Sequence, residues 1–302
     1  MRQPSAGIFL LARYFIINVE VSVYKYVYVY VKGEVNMARA KVITFGIPKG
    51  GAGKTTTAAV TAFLLAEEGY KVLVADLDPQ GNSTEIFTLV PIRDYRGKGI
   101  GGILEALDTE GQATKKNIIV LNDNIHLLIG SEILGVFPRP GYKDKIQLAV
   151  KKMLEPVIHD YDFVILDTAP ALNFLLTSCL CASDGVVALF ETGKFCYSAL
   201  LSFVESIQLI QDDEKSLNQN IKLLGILCSM IDSRRTDNND FLEMVKADEQ
   251  LGPFCFNTVI KRQAAAGRLA YAGFFDNSEI KHAVGQYRPF VKELIERCQH
   301  LK

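Results

Sequence analysis

The stretch Lys49-Gly50-Gly51-Ala52-Gly53-Lys54-Thr55-Thr56-Thr57 constrains this chain more than any other. An apolar run, Val42 to Ile47, precedes it, and a helical pattern, Ala58 to Glu68, follows. The order is strand, loop, helix N-terminus, which is the setting a phosphate-binding loop requires. Glycines let successive backbone N–H groups point at one anion. A helix starting near Gly53 adds the positive end of its dipole. Lys54 can place an ammonium on terminal phosphates, and the Thr55 hydroxyl suits Mg²⁺. The ordinary G-x-x-x-x-G-K-[ST] pattern is not met, because Gly46 stands too far ahead of Gly53. The loop begins instead at Lys49-Gly50-Gly51, with a second lysine ahead of the glycines. A plain glycine-rich turn before a helix does not call for that combination of lysines and threonines.

Two further stretches support the loop. Val72 to Asp76 leads into Leu77-Asp78-Pro79-Gln80-Gly81-Asn82-Ser83-Thr84, and Tyr161 to Asp167 leads into Thr168-Ala169-Pro170. Each apolar run ends in an aspartate, which reads as a buried parallel strand with a carboxylate at its C-terminal end. Ligands of open α/β sheets sit at that end. Asp76 and Asp167 are therefore candidates for handling Mg²⁺ and its waters.

Together these stretches resemble the deviant phosphate loop, the D-x-D-P-Q-G-N motif and the second aspartate motif of the ParA/Soj/MinD family of ATPases. The resemblance runs from Ala38 to Lys302. Gly225 to Arg234 and Thr258 to Ile260 resemble the ParA/Soj branch. What it implies is an α/β fold: a mostly parallel, doubly wound sheet with helices on both faces, binding ATP and Mg²⁺. It implies that Lys49, Gly50, Gly51, Ala52, Gly53, Lys54, Thr55 and Thr56 hold the nucleotide. Thr55 would ligate Mg²⁺, with Asp76 and Asp167 acting through its waters. Asp78 resembles the carboxylate that positions the attacking water. Phosphoryl transfer passes through a loose transition state, so geometry and charge neutralisation matter more than base strength. Lys49 resembles the signature lysine that reaches the partner subunit's nucleotide. The adenine pocket falls near Met230, Asp232, Ile260 and Arg262; Lys261 stands where the family commonly has proline.

The bulk properties set limits. With 302 residues the chain holds one large α/β domain or two small ones. A net charge of −1 excludes a polycation, so nucleic-acid binding needs a local patch. Cys179, Cys181, Cys196, Cys228, Cys255 and Cys298 lie mostly in apolar runs without zinc-ligand spacing, which predicts buried thiols in a reducing cytosol.

Residues 1–36 do not resemble the family and read as an extension. Val19 to Lys32 alternates in a strand-like way. Met37 is the expected natural start, and residues 37–302 the ATPase domain. From Lys41 onward, strands are expected near Val42–Ile47, Val72–Asp76, Ile118–Val120, His126–Ile129, Phe163–Asp167, Gly185–Phe190, Leu223–Met230 and Phe256–Ile260. Helices are expected near Lys54–Glu68, Ile103–Ala106, Asp144–Glu155, Phe174–Cys181, Ser198–Gln211, Asp240–Gln250 and Glu279–Cys298. The stripe Phe290, Val291, Leu294, Ile295, Cys298 and Leu301 is expected to be core.

Between Pro253 and Lys302, lysines and arginines outnumber acids. With Arg234 and Arg235, residues Arg262 and Arg268 are candidates for a basic strip on non-specific DNA. The ParA/Soj resemblance implies a partitioning ATPase: an ATP-bound homodimer on DNA, a ParB-like centromere-binding partner that triggers hydrolysis, and a cytoplasmic, nucleoid-associated location. The alternative is a MinD-like positioning ATPase at a membrane, which the absence of a basic amphipathic tail disfavours. A kinase or metabolic relative is the third reading.

Overall fold

The computed structural model describes residues 39–95, 98–100, 112–136, 146–212, 218–232, 234, 238–274 and 278–301. The expectations for residues 1–36, Met37, the helix at Ile103–Ala106 and Arg235 lie outside the described residues.

The strands are β1 (Lys41–Gly46), β2 (Val72–Leu77), β3 (Ile118–Val120), β4 (Ile125–Leu128), β5 (Phe163–Thr168), β6 (Gly185–Phe190), β7 (Lys222–Ile231) and β8 (Cys255–Lys261). They form one sheet in the order β3-β4-β2-β5-β1-β6-β7-β8. Only the β3–β4 pair is antiparallel. β2, β5 and β6 are buried at every position, as near-continuous apolar runs in the middle of a covered sheet should be.

The helices are α1 (Lys54–Glu67), α2 (Asn82–Thr88), α3 (Gln112–Lys116), α4 (Ala149–Leu154), α5 (Phe174–Ala182), α6 (Lys194–Asp212), α7 (Asn238–Ala247), α8 (Ala264–Gly267), α9 (Leu269–Ala272), α10 (Ser278–Gly285) and α11 (Arg288–Cys298). The period of two along the strands divides the core between the two faces. Ile43, Phe45, Val72 and Val74 join α1, α6 and α11 in one cluster, whereas Val42, Leu73, Ala75 and Leu77 join α4 and part of α5 in the other. Among the described residues, no helix is long and apolar enough to cross a membrane.

One expected helix is divided. The pattern over Glu279–Cys298 breaks into α10 and α11 around Gln286 and Tyr287. Pro289 accounts for the break: it has no N–H to bond the carbonyl four residues back, Gly285, and its ring clashes with that carbonyl, so it is accommodated in the first turn of α11. The C-terminal stripe is core: Phe290, Val291, Leu294, Cys298 and Leu301 are buried. Phe290 meets Phe256 edge-on at 4.8 Å and Phe45 at 6.4 Å. Phe290→Ala is expected to cost roughly 3–5 kcal/mol of stability, read as a lower denaturant midpoint. A midpoint within error of wild type would show that α11 does not close this face.

Candidate active site

The phosphate loop leaves β1 and enters α1. Gly51 and Gly53 have φ of 85° and 77°, which side chains other than glycine rarely adopt. Ser229 on β7 donates to the Ala52 carbonyl at 2.7 Å, pinning the loop from beneath. Lys54 is 6% exposed and donates to the Lys49 carbonyl at 2.8 Å. Burial pushes its ammonium below the ordinary lysine value, and the Asp167 and Asp78 carboxylates oppose that shift.

The carboxylates arrive from the neighbouring strands. Asp76 and Asp167 are register partners on β2 and β5, and both are fully buried. Burial raises the Asp76 carboxyl, with Asp167 adding to the shift, while hydrogen bonds from Thr84 and the Asp78 amide oppose it. Burial likewise raises Asp167, against the Ser83 and Thr55 hydroxyls. Asp78, 5% exposed, accepts from the Gln80 N–H through Oδ1 at 2.9 Å.

These residues fit a hard divalent cation. Asp167 Oδ1 is buried with no hydrogen-bond partner among the described residues, and the Thr55 hydroxyl lies close enough to influence its carboxyl. No group of three His, Cys, Asp or Glu gathers among the described residues. Mg²⁺ takes one or two carboxylates and otherwise phosphate and water. It would also offset the mutual repulsion that burial imposes on the aspartates.

A family model described as an AAA domain matches residues 40–223. The chromosome-partitioning ATPase Soj of Thermus thermophilus is 32% identical over 274 residues, covering 87% of this chain and 99% of that protein. The chain belongs to the ParA/Soj family of partitioning ATPases. A cobyrinic acid a,c-diamide synthase from Mycobacterium smegmatis, solved with bound ADP and magnesium, superposes with a TM-score of 0.69 at 26% identity. The alignment covers 86% of this chain and 96% of that one. A plasmid partition protein from Borrelia burgdorferi bound to AMPPNP also superposes at 0.69, with 22% identity over 86% of this chain and 100% of that one. That second likeness speaks for the fold alone.

In this ParA/Soj-type ATPase the phosphate-loop residues, Asp76, Asp78 and Asp167 come together at the carboxyl ends of the central strands. Lys49, the lysine ahead of the loop glycines, is half-buried, with its ammonium against the Cys196 thiol of α6. The residues expected around adenine divide. Met230 has a positive φ of 55° where the β7–β8 register shifts. Its side chain presses on the loop: a Cβ built on Gly53 would lie 3.0 Å from it. Such backbone strain collects at functional sites. Asp232 is occupied by Arg234, whose guanidinium donates to Oδ1 at 2.9 Å and to Oδ2 at 2.7 Å, and this holds the carboxyl far below its usual range. Ile260 is buried within β8 and presents almost no exposed surface to a ligand.

The expected DNA-binding arginines do not form one unpaired strip. Arg234 pairs with Asp232, Arg262 with Glu191 at 2.8 Å, and Arg268 with Glu279. All three side chains are at least half exposed. Ser83 and Thr84 escaped the sequence reading as functional residues. The available signal was their place directly after Asp78-Pro79-Gln80-Gly81-Asn82, where two hydroxyls face the carboxyl ends of β2 and β5.

Proposed function

We propose that residues 37–302 form an ATPase domain that binds ATP with Mg²⁺, closes into a homodimer in that state, binds non-specific DNA, and hydrolyses ATP when a ParB-like protein engages it. The observation that carries this reading is the arrangement around Lys54: a buried ammonium at a loop turned by Gly51 and Gly53, faced by Asp167 and Asp78. The amides of Gly51 to Gly53, Lys54 and Thr56 hold the phosphates. Thr55 holds Mg²⁺, with Asp76 and Asp167 behind its waters. Bound Mg²⁺ neutralises phosphate charge. Asp78 orients the attacking water. Met230, Asp232, Ile260 and Arg262 lie on the adenine side.

Lys49 gives the site its switch. Held against Cys196, it serves the monomer's own loop; released, it crosses a two-fold interface to the partner's phosphates. Desolvating two such cations is compensated only by ATP-level charge on the opposite subunit. The DNA contact is assigned to Arg234, Arg235, Arg262 and Arg268. Exposed ion pairs contribute little, so DNA phosphates can displace Asp232, Glu191 and Glu279. Dimerisation then places two strips on one duplex. A membrane-positioning role gains nothing from α11, whose apolar stripe is buried.

Gel shift of random duplex DNA tests this reading. The wild-type protein is expected to shift DNA with ATP and Mg²⁺ but not with ADP, and the shift should weaken steeply with salt. Lys49→Ala is expected to lose the shift while ATP affinity stays near wild type. A nucleotide-independent shift, or a Lys49→Ala shift equal to wild type, would contradict the switch.

A further inference from the structure

The short helix α2 carries two buried hydroxyls in its first turn, and each meets a different strand-terminal aspartate. Ser83 Oγ donates to Asp167 Oδ2 at 2.7 Å. Thr84 donates to Asp76 Oδ2 twice, from Oγ1 at 2.6 Å and from its backbone N–H at 2.7 Å. Thr84 Oγ1 accepts in turn from the Gly130 N–H at 3.0 Å. The backbone at Gly130 is pressed against the same carboxylate: a Cβ there would lie 3.1 Å from Asp76 Cγ. α2 is itself anchored, because Phe87 packs on Phe274, which stacks on Phe63 of α1 at 4.4 Å with ring planes 3° apart.

The pattern of satisfied and unsatisfied oxygens is informative. Asp76 has both oxygens engaged, Oδ1 by the Asp78 N–H at 3.3 Å. Asp167 has Oδ2 engaged by Ser83, while its buried Oδ1 has no hydrogen-bond partner among the described residues. A buried acceptor left open is costly unless something arrives to meet it.

We propose that Ser83 and Thr84 are positioning residues for the metal–nucleotide site. Ser83 holds Asp167 by one oxygen so that Oδ1 is presented to Mg²⁺ and its waters, and Thr84 locks Asp76 beside it. This rests on the Mg²⁺–ATP reading above and adds the element that sets both carboxylates at once. Neither residue touches the nucleotide in this scheme. Groups of this kind act through the orientation of the ligands they hold.

The test titrates Mg²⁺ into the full-length chain with a fluorescent ATP analogue bound. Ser83→Ala and Thr84→Val are each expected to raise the half-saturating Mg²⁺ concentration on the order of tenfold. Affinity for the analogue in EDTA should stay near wild type. Thr84→Ser, which keeps the hydroxyl, should restore the wild-type curve, a rescue that a merely structural role would not produce. If Ser83→Ala unfolds, Ser83→Cys keeps a heavy atom in the Oγ position with only a weak donor and should show the same rise. Wild-type titration curves for Thr84→Val and for the folded Ser83 variant would overturn the inference alone. A wild-type protein whose analogue binding ignores Mg²⁺ would overturn the metal–nucleotide reading and this inference with it.

Discussion

Lys54→Ala is expected to lose ATP affinity by on the order of a hundredfold or more, because truncating one side of a buried charge pair costs roughly 3 kcal/mol or above. Two effects act in the same direction. The phosphates lose the buried ammonium that caps the loop, and the Asp167 and Asp78 carboxylates lose the cation that offsets them. What remains at the carboxyl ends of β2 and β5 is a set of acids facing an anion. The fold should survive, since Lys54 makes its hydrogen bond to the Lys49 carbonyl within the loop rather than to the core. Titration with a fluorescent ATP analogue, alongside a thermal melt, separates the two outcomes. Unchanged affinity would remove the phosphate-loop assignment.

Asp78→Ala should act on a different step. The residue is buried beside the loop, and it orients water rather than holding phosphate in this account. Nucleotide affinity is expected to stay near wild type, while hydrolysis falls on the order of a hundredfold or more, the range associated with losing a positioned carboxylate. The variant should therefore accumulate in its ATP-bound form. Wild-type turnover would show that another group positions the water.

Much of this was legible in the sequence for one physical reason: buried parallel strands must be apolar throughout, and the sheet's ligands sit where those runs end. Val72 to Asp76 and Phe163 to Asp167 therefore announced both the central strands and their carboxylates. The local chemistry of Gly51, Gly53, Lys54 and Thr55 was equally plain, since it depends on neighbours in the chain. Elements whose partners come from afar were not legible. Asn82, Ser83 and Thr84 carry short polar side chains that compete with the backbone for hydrogen bonds, so no helix was expected there. In the fold, Asp76 and Asp167 occupy those hydroxyls and α2 forms. Arg262 and Arg268 looked like unpaired cations until Glu191 and Glu279 were brought beside them. The contact between Lys49 and Cys196 joins residues far apart in the chain and has no sequence signature.

The most direct measurement of the switch is light scattering on the Asp78→Ala protein, which should bind ATP without consuming it. With ATP and Mg²⁺ the mass should be that of a dimer. With ADP it should be that of a monomer, and adding Lys49→Ala should return the ATP sample to monomer. A mass that is the same with ATP and ADP, or a dimer that survives the loss of Lys49, would contradict the account.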